Sequence, residues 1–485
     1  MKNKVLMTLL IVVLLGIPVA SCNSTSTPTE VLVMTPAPGA INSGDDYFPK
    51  QGNGGYDASH YTLELMVDME TNVIDGALTM EAIATQALTS FNMDFTGYEI
   101  NDIHMNNKPV EFRRSGSELT ITPSDPIPYD DTFTTTIQYS GSPNETLPAE
   151  ENSPEDGWTH YGNGVYVASE PNGASRWYPV NDHPSDKAAY TIRITVDEPW
   201  VVAANGTSEE IIDHGVSRTY VWQMNDPIAS YLVTVAIGEF TIHEDSFPSG
   251  IPIRNYYPAD PPKEAIEAFD LIPDMAEFFE STFGPYPFDT YGVVLHDTSL
   301  PFALETQTLT TYGTNFVNEG VVAHELAHEW YGNSLTPAAW KDIWLNEGFA
   351  NYGAMLWFEH AYGREGVDEY MRELYAELVR SAGPDDPLIG DPGPVNPFDS
   401  LVYDRGQMTL HALRAKVGDR KFFEILRQYA DEYQYGNVTT DAFIELAEEV
   451  SGKKLSDLFD EWLFQTDVPD IPKFDLFAEE YSAEF

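Results

Sequence analysis

Between residues 56 and 249 apolar and polar positions alternate with a period of two, in HYTLELMVDM, TFTTTIQYSG, AYTIRITVDEPWVVAANG and ASYLVTVAIGEFTIH, and clusters of Asn, Gly, Asp and Pro separate the runs. Successive side chains of a strand point to opposite faces, so this stretch predicts antiparallel β structure in a sheet-rich domain. After about Gly250 the period changes to that of a helix. EAIEAFDLIPDMAEFFESTFG reads as one or two helices interrupted at Pro273, which has no N–H to offer a helix interior. YGVVLHDTSLPFALETQTLTTYG reads as a strand and an edge element, and residues 311–319 lead straight into another helical segment. The division that follows is a β-rich domain over 56–249, an α-rich domain with a small sheet over 250–470, and a C-terminal tail over 471–485.

The first 55 residues obey neither pattern. Residues 1–21 carry two lysines, an apolar run of secretory length and then small residues, which predicts a signal peptide and not a membrane span. VASC resembles a bacterial lipobox, which makes Cys22 the lipidated mature N-terminus and predicts an exported protein anchored to a bacterial membrane, facing outward. Cys22 is the only cysteine, so no disulfide forms within the chain. Residues 22–55 are rich in Ser, Thr, Pro, Gly and Asn and predict a flexible tether.

Composition adds one exclusion. With 77 acidic against 25 basic residues the net charge is −52, which argues against nucleic acid and against adsorption to anionic lipid. At 42% hydrophobic and 13% aromatic the chain is far from disorder and can fill two cores. The oligomeric state is not fixed by the sequence.

The chemistry concentrates in residues 322–352, VAHELAHEWYGNSLTPAAWKDIWLNEGFANY. His324 and His328 are four apart, so on a helix they share a face and two imidazoles can converge on one ion. Glu325 cannot join them from its position, but it can lean over the open side of a metal as a general base. The third ligand is best supplied by Glu347, with eighteen residues between it and His328, on a second helix read from WLNEGFANYGAMLWF. Two imidazoles and one carboxylate leave a catalytic Zn2+ with one open position, and one such ion per chain is expected.

This motif, its spacer and its glutamate resemble the zinc aminopeptidases of the aminopeptidase N family, the gluzincins that include leukotriene A4 hydrolase. The resemblance implies a thermolysin-like catalytic domain after an N-terminal β domain, and peptide substrates with a free N-terminus. It places a substrate-binding acid at Glu170, in SEPNGASRWYPVNDHPSDKAAYTIRITV, where a family loop reaches into the cleft; by itself Glu170 is a loop carboxylate before a Pro-Asn-Gly turn. It also aligns PFALETQT with the family's GxMEN segment. Glu305 matches the acid that anchors the substrate amine, but Phe302, Leu304 and Thr306 replace Gly, Met and Asn. Loss of the glycine predicts altered subsite geometry, because glycine alone allows the closest backbone approach. In VYDRG, Tyr403 maps onto the family's catalytic tyrosine, a neutral phenol suited to hydrogen-bond an oxyanion. The resemblance closes at LSDLFDEWLFQTDVPDIP, about where many relatives enter a long helical C-terminal domain, so a more open cleft is expected here.

The expected reaction is removal of the first residue by water attack on its peptide carbonyl, with Glu325 taking the proton and later giving one to the leaving amine. Glu305 and Glu170 facing one ammonium would select against internal amides, which bring no charge to offset two desolvated carboxylates. Two other functions stay open: an endopeptidase or epoxide hydrolase-like enzyme, given the altered FALET segment, and an inactive surface-binding lipoprotein. His296, His360 and His411 have no ligand spacing and read as packing or surface residues, Trp330, Trp340, Trp344 and Trp357 read as core, and no organic cofactor is called for.

Overall fold

The computed structural model describes residues 35–143 and 157–481. The expected signal peptide, Cys22 and the first part of the expected tether lie outside the described residues. Residues from Pro36 onward form one unit. Its N-terminal part is built on an eight-stranded sheet in the order Thr207–Asp213, Ser217–Ala229, Lys187–Asp197, Tyr56–Asp68, Val73–Ala84, Thr132–Gly141, Glu99–Met105 and Lys108–Pro109. The alternation read in the sequence is the burial pattern here: along Tyr56–Asp68, Tyr61, Leu63, Leu65 and Val67 are buried and the residues between them are more exposed. The pairing is not wholly antiparallel. Lys187–Asp197 lies parallel to Tyr56–Asp68, with Ile192 opposite Leu63: after Thr132–Gly141 the chain leaves the sheet for the smaller one that holds Gly157–Tyr161 and Gly164–Ala168, and then returns on the far side of Tyr56–Asp68.

Two sequence boundaries shift. The strand Thr241–Ser246 pairs with Pro252–Tyr257 and through it joins Val293–His296, Thr310–Gly313 and the edge strand Ala303–Leu304, so the small sheet of the second domain begins before Gly250. The tether expectation fails for residues 36–55. Ala37–Pro38 pairs with Leu88–Asp94, the Gly52 N–H and the Asn53 amide donate to Asp94 Oδ2, and Asp45 accepts from the Trp340 N–H at 3.0 Å and faces His183 Nε2 at 3.2 Å. Gly, Ser and Asn suit a linker, but the same residues offer short polar side chains and free backbone to buried hydrogen bonds.

Ten helices among the described residues complete the second domain: α1 Lys263–Phe269, α2 Ile272–Phe283, α3 Glu319–His328, α4 Trp344–Tyr362, α5 Arg364–Ser381, α6 Ser400–Val417, α7 Asp419–Glu432, α8 Thr440–Ser451, α9 Ser456–Leu463 and α10 Ala478–Tyr481. Pro273 stands in the first turn of α2, where a missing N–H costs nothing, so the break falls before it and not at it. Trp330, Trp340, Trp344 and Trp357 are buried in one continuous core that runs through both domains. A small satellite of Tyr166, Ala168, Leu300 and Leu304, with Tyr161 and Phe302 against it, joins the strand before Glu170 to the loop before Glu305. The C-terminal tail docks: Phe474 stacks on His411 at 4.3 Å and Tyr481 meets the edge of Tyr375. No helix among the described residues is long and apolar enough to cross a membrane.

Candidate active site

Helix α3 starts on Asn318, whose side-chain oxygen accepts from the N–H groups of Gly320 (3.0 Å) and Val321 (3.2 Å). One turn apart on this helix, His324 and His328 bring their Nε2 atoms to 2.9 Å. Glu347, in the first turn of α4, sets Oε2 3.4 Å from His324 Nε2 and 3.5 Å from His328 Nε2. Helix α4 comes this close because Gly353 lies on Ala327 of α3, where an added Cβ would sit 2.7 Å from the alanine methyl. After His328 the chain turns sharply through Gly332, at φ +131°. That turn puts the Tyr331 carbonyl 3.1 Å from His328 Nδ1, which holds a proton on Nδ1 and turns Nε2 toward His324 and Glu347. Asn351, one turn beyond Glu347, lines the same cleft as His324.

Three more carboxylates share the space. Glu325 and Glu305 are buried, Glu305 Oε1 lies 4.0 Å from His328 Nδ1, and Glu170, Glu305 and Glu347 offer oxygens within 4.8 Å of one another. Glu170 Oε1, Glu305 Oε1 and Glu325 Oε2 are buried with no hydrogen-bond partner. Burial, then the charges of Glu305, Glu347 and Glu325, holds Glu170 well above the usual carboxylate range. Burial raises Glu325 well above it too, against the pull of His328, and raises Glu305. Burial opposes charge on His328, yet Glu305, Glu347 and Glu325 outweigh it and push its pKa up to about 10; Glu347 is drawn down to about 2 by His328 and His324 in spite of its own burial.

Four carboxylates crowded against two imidazoles leave an excess of negative charge that a divalent cation would balance. Three overlapping donor groups occur here: His324, His328 and Glu347; Glu305, Glu325 and His328; and Glu170, Glu305 and Glu347. Only the first has two imidazole nitrogens, the donor set that suits zinc with an open position. The other histidines named in the sequence stand elsewhere, His296 beside the Tyr161 hydroxyl and His411 beside that of Tyr352, each at hydrogen-bond distance, and His360 stacked on Phe278.

The loop that carries Glu305 is anchored by Glu329, a residue with no signal in the sequence. Fully buried, Glu329 accepts from the Thr308 N–H (2.9 Å) and Asn333 Nδ2 (3.3 Å) on one oxygen and from the Tyr286 hydroxyl (2.8 Å) on the other. Burial raises its pKa to about 8. Asn333 also donates to the Glu305 carbonyl at 2.7 Å, and Thr308 is held at φ +65°. Thr306, in the place of the family's Asn, turns inward to Leu309 O and Thr311 Oγ1. Phe302 packs edge-on to Tyr166 at 6.3 Å and forms part of the cleft wall. No spacing rule singles out Glu329, which directly follows His328. The signal for Asn351 was available, since it stands four positions after Glu347 on one helix face.

Tyr403 stands in the first turn of α6 with its ring 6.2 Å from that of His324. Burial, then the charges of Glu347, Glu170, Glu305 and Glu325, keeps its phenol protonated far above neutral pH, so it can donate a hydrogen bond into the cleft. Glu170, Glu305, His324, Glu325, Glu347 and Tyr403 thus line one cleft of about 530 Å³, brought together from three helices and one loop of the second domain and one loop of the first.

Residues 57–232 match the peptidase M1 N-terminal domain and residues 267–462 the peptidase family M1 domain. Aminopeptidase M1-B of Oryza sativa subsp. japonica is 27% identical over 317 residues, 61% of this chain and 36% of that protein; aminopeptidase 2, mitochondrial, of Saccharomyces cerevisiae is 26% identical over 447 residues, 84% of this chain and 46% of that protein. The chain therefore spans less than half the length of these relatives. Among solved structures, the M1 zinc metallopeptidase of Deinococcus radiodurans superposes with a TM-score of 0.82 at 30% identity, covering 89% of this chain and 99% of that one. A mutant of that enzyme bound to a Tyr-Ser-Ala substrate gives a TM-score of 0.82 at 28% identity over the same shares. With both domains matched and the solved relative covered almost end to end, the chain belongs to peptidase family M1.

Proposed function

We propose that this chain is a zinc aminopeptidase that removes residues one at a time from the free N-terminus of peptides. The observation that carries the reading is the pair Glu170 and Glu305: each has a buried oxygen with no hydrogen-bond partner, and the two carboxylates offer oxygens within 4.8 Å of each other and of one from Glu347. A substrate α-ammonium would satisfy both, while an internal amide would leave them desolvated without compensation. His324, His328 and Glu347 would hold the zinc, which when bound would supply Lewis-acid polarisation of the carbonyl and a more acidic water. Glu325 takes a proton from the attacking water on its free Oε2 and returns one to the leaving amine nitrogen. The Tyr403 hydroxyl donates to the oxygen on which negative charge develops. One peptide in free-amine and N-acetylated forms tests the reading, with products identified by mass. Stepwise loss from the free form alone is expected; internal cleavage of both forms would make the protein an endopeptidase.

Export and membrane anchoring through Cys22 are part of the same proposal and rest on the sequence around VASC. Expressed in a bacterium, the full chain is expected in the membrane fraction with a diacylglyceryl-modified N-terminal cysteine. Cys22→Ala should release it to the soluble fraction, and an unmodified Cys22 in the wild type would refute the anchor.

A further inference from the structure

The cleft continues past the ligand triad into a second hollow of about 490 Å³. Asn318, Gly320, Met355, Phe358 and Tyr370 wall both spaces, whereas Glu170, Phe302 and Glu305 wall only the first. Two helices give this layout its direction. On α3 the His328 end lies beside Glu305 and the Asn318 end at the hollow, and on α4 the Glu347 end lies at the triad and the Tyr362 end at the hollow. A substrate whose amine meets Glu170 and Glu305 therefore points its leaving peptide toward the hollow.

The walls define what fits there. No charged side chain among the described residues lines the hollow, in a chain that carries 77 acidic residues. The Asn318 oxygen is already engaged in capping α3. Met355, Phe358, Val367 and Tyr370 supply apolar surface, and a Cβ built on Gly363 or Gly366 would meet no atom within 4 Å, so the floor is open. Large apolar side chains stand exposed at the rim, with Tyr362 at 69% and Tyr370 at 43%. Exposed apolar surface continuous with a catalytic cleft marks a binding surface.

We propose that this hollow is a subsite for an apolar side chain on the leaving peptide, two or three residues beyond the scissile bond. From Glu347 to Met355 the helix rise covers about 12 Å, a span that two or three extended residues at about 3.3 Å each cover once their side chain is added. The assignment rests on the aminopeptidase reading.

The test compares the tetrapeptide amides Ala-Ala-Phe-Ala and Ala-Ala-Ser-Ala, and the same pair with Phe or Ser in fourth place, beside alanine p-nitroanilide, which has no leaving peptide. Ser keeps the charge constant, so the field of the acidic chain cannot produce a difference. The Phe peptide is expected to show kcat/KM at least about tenfold above its Ser partner at one of the two positions. Gly366→Phe, which fills the hollow, should bring that ratio toward one; if it does not fold, Tyr370→Ser should lower the ratio. Turnover of alanine p-nitroanilide with equal Phe and Ser peptides would overturn the subsite and leave the aminopeptidase reading standing. Turnover of none of the substrates would overturn both, and a ratio that survives the substitutions would overturn the placement in this hollow.

Discussion

Gly348 and Gly406 meet backbone to backbone where α4 crosses α6: a Cβ on Gly348 would stand 2.9 Å from the Gly406 Cα, and one on Gly406 would stand 2.8 Å from the Gly348 Cα. Glu347 is the neighbour of the first glycine and Tyr403 lies one turn before the second, so the crossing sets the Glu347 carboxylate near the Tyr403 phenol in one cleft. Gly406→Ala should force the helices apart. Overpacking of this kind costs about 1–3 kcal/mol, against a gain of about 1 kcal/mol in helix propensity, so a net loss of stability is expected together with lower zinc content and lower kcat. Calorimetry and metal analysis check it; unchanged melting temperature and zinc stoichiometry would show that the crossing tolerates a methyl group.

Glu325→Gln keeps the size of the side chain and removes its basicity. The variant should fold, retain zinc and lose about 10²- to 10⁴-fold in kcat. Loss of metal instead of turnover would make Glu325 a ligand, as the grouping with Glu305 and His328 allows.

Tyr403→Phe deletes one hydroxyl and leaves the packing of its ring on His324 intact. The loss should fall on kcat, by about 10²- to 10³-fold, with KM, zinc content and melting temperature near wild type. A rise in KM alone would assign the hydroxyl to substrate binding.

How much of this was legible depended on distance along the chain. His324, His328 and Glu347 could be read because helical spacing is local and one further helix completes the set. The alternation of residues 56–68 likewise forecast its buried face. Glu170 and Tyr403 came only through resemblance, since a loop acid and one of 27 tyrosines carry no period. The Gly348–Gly406 crossing, the Tyr331 carbonyl under His328 and the Glu329 anchor of the 305–308 turn depend on how the chain folds back, and no local pattern encodes them. The ordered course of residues 36–55 was hidden for a related reason: its stability comes from Asp94, His183 and Trp340, all distant in sequence.

Lys187 makes the pH dependence of stability testable away from the metal ligands. Its Nζ donates to the carbonyls of Asn333 (2.9 Å) and Ser334 (3.0 Å), in the turn that follows α3, and no carboxylate among the described residues pairs with it. Burial lowers its pKa to about 7 from an ordinary 10.5. Below pH 7 the lysine is charged in both folded and unfolded chains, and the cost of burying that charge is fully present. Between pH 7 and 10.5 the unfolded chain holds a proton that the folded chain has released, so this residue's contribution to stability rises with pH. The neutral amine keeps two N–H donors for the two carbonyls. Lys187→Met abolishes the titration, and the melting temperature of the wild type relative to this variant should therefore climb from about pH 7 to about pH 10. A difference that stays flat, or falls, over that range would show that Lys187 remains charged in the folded protein.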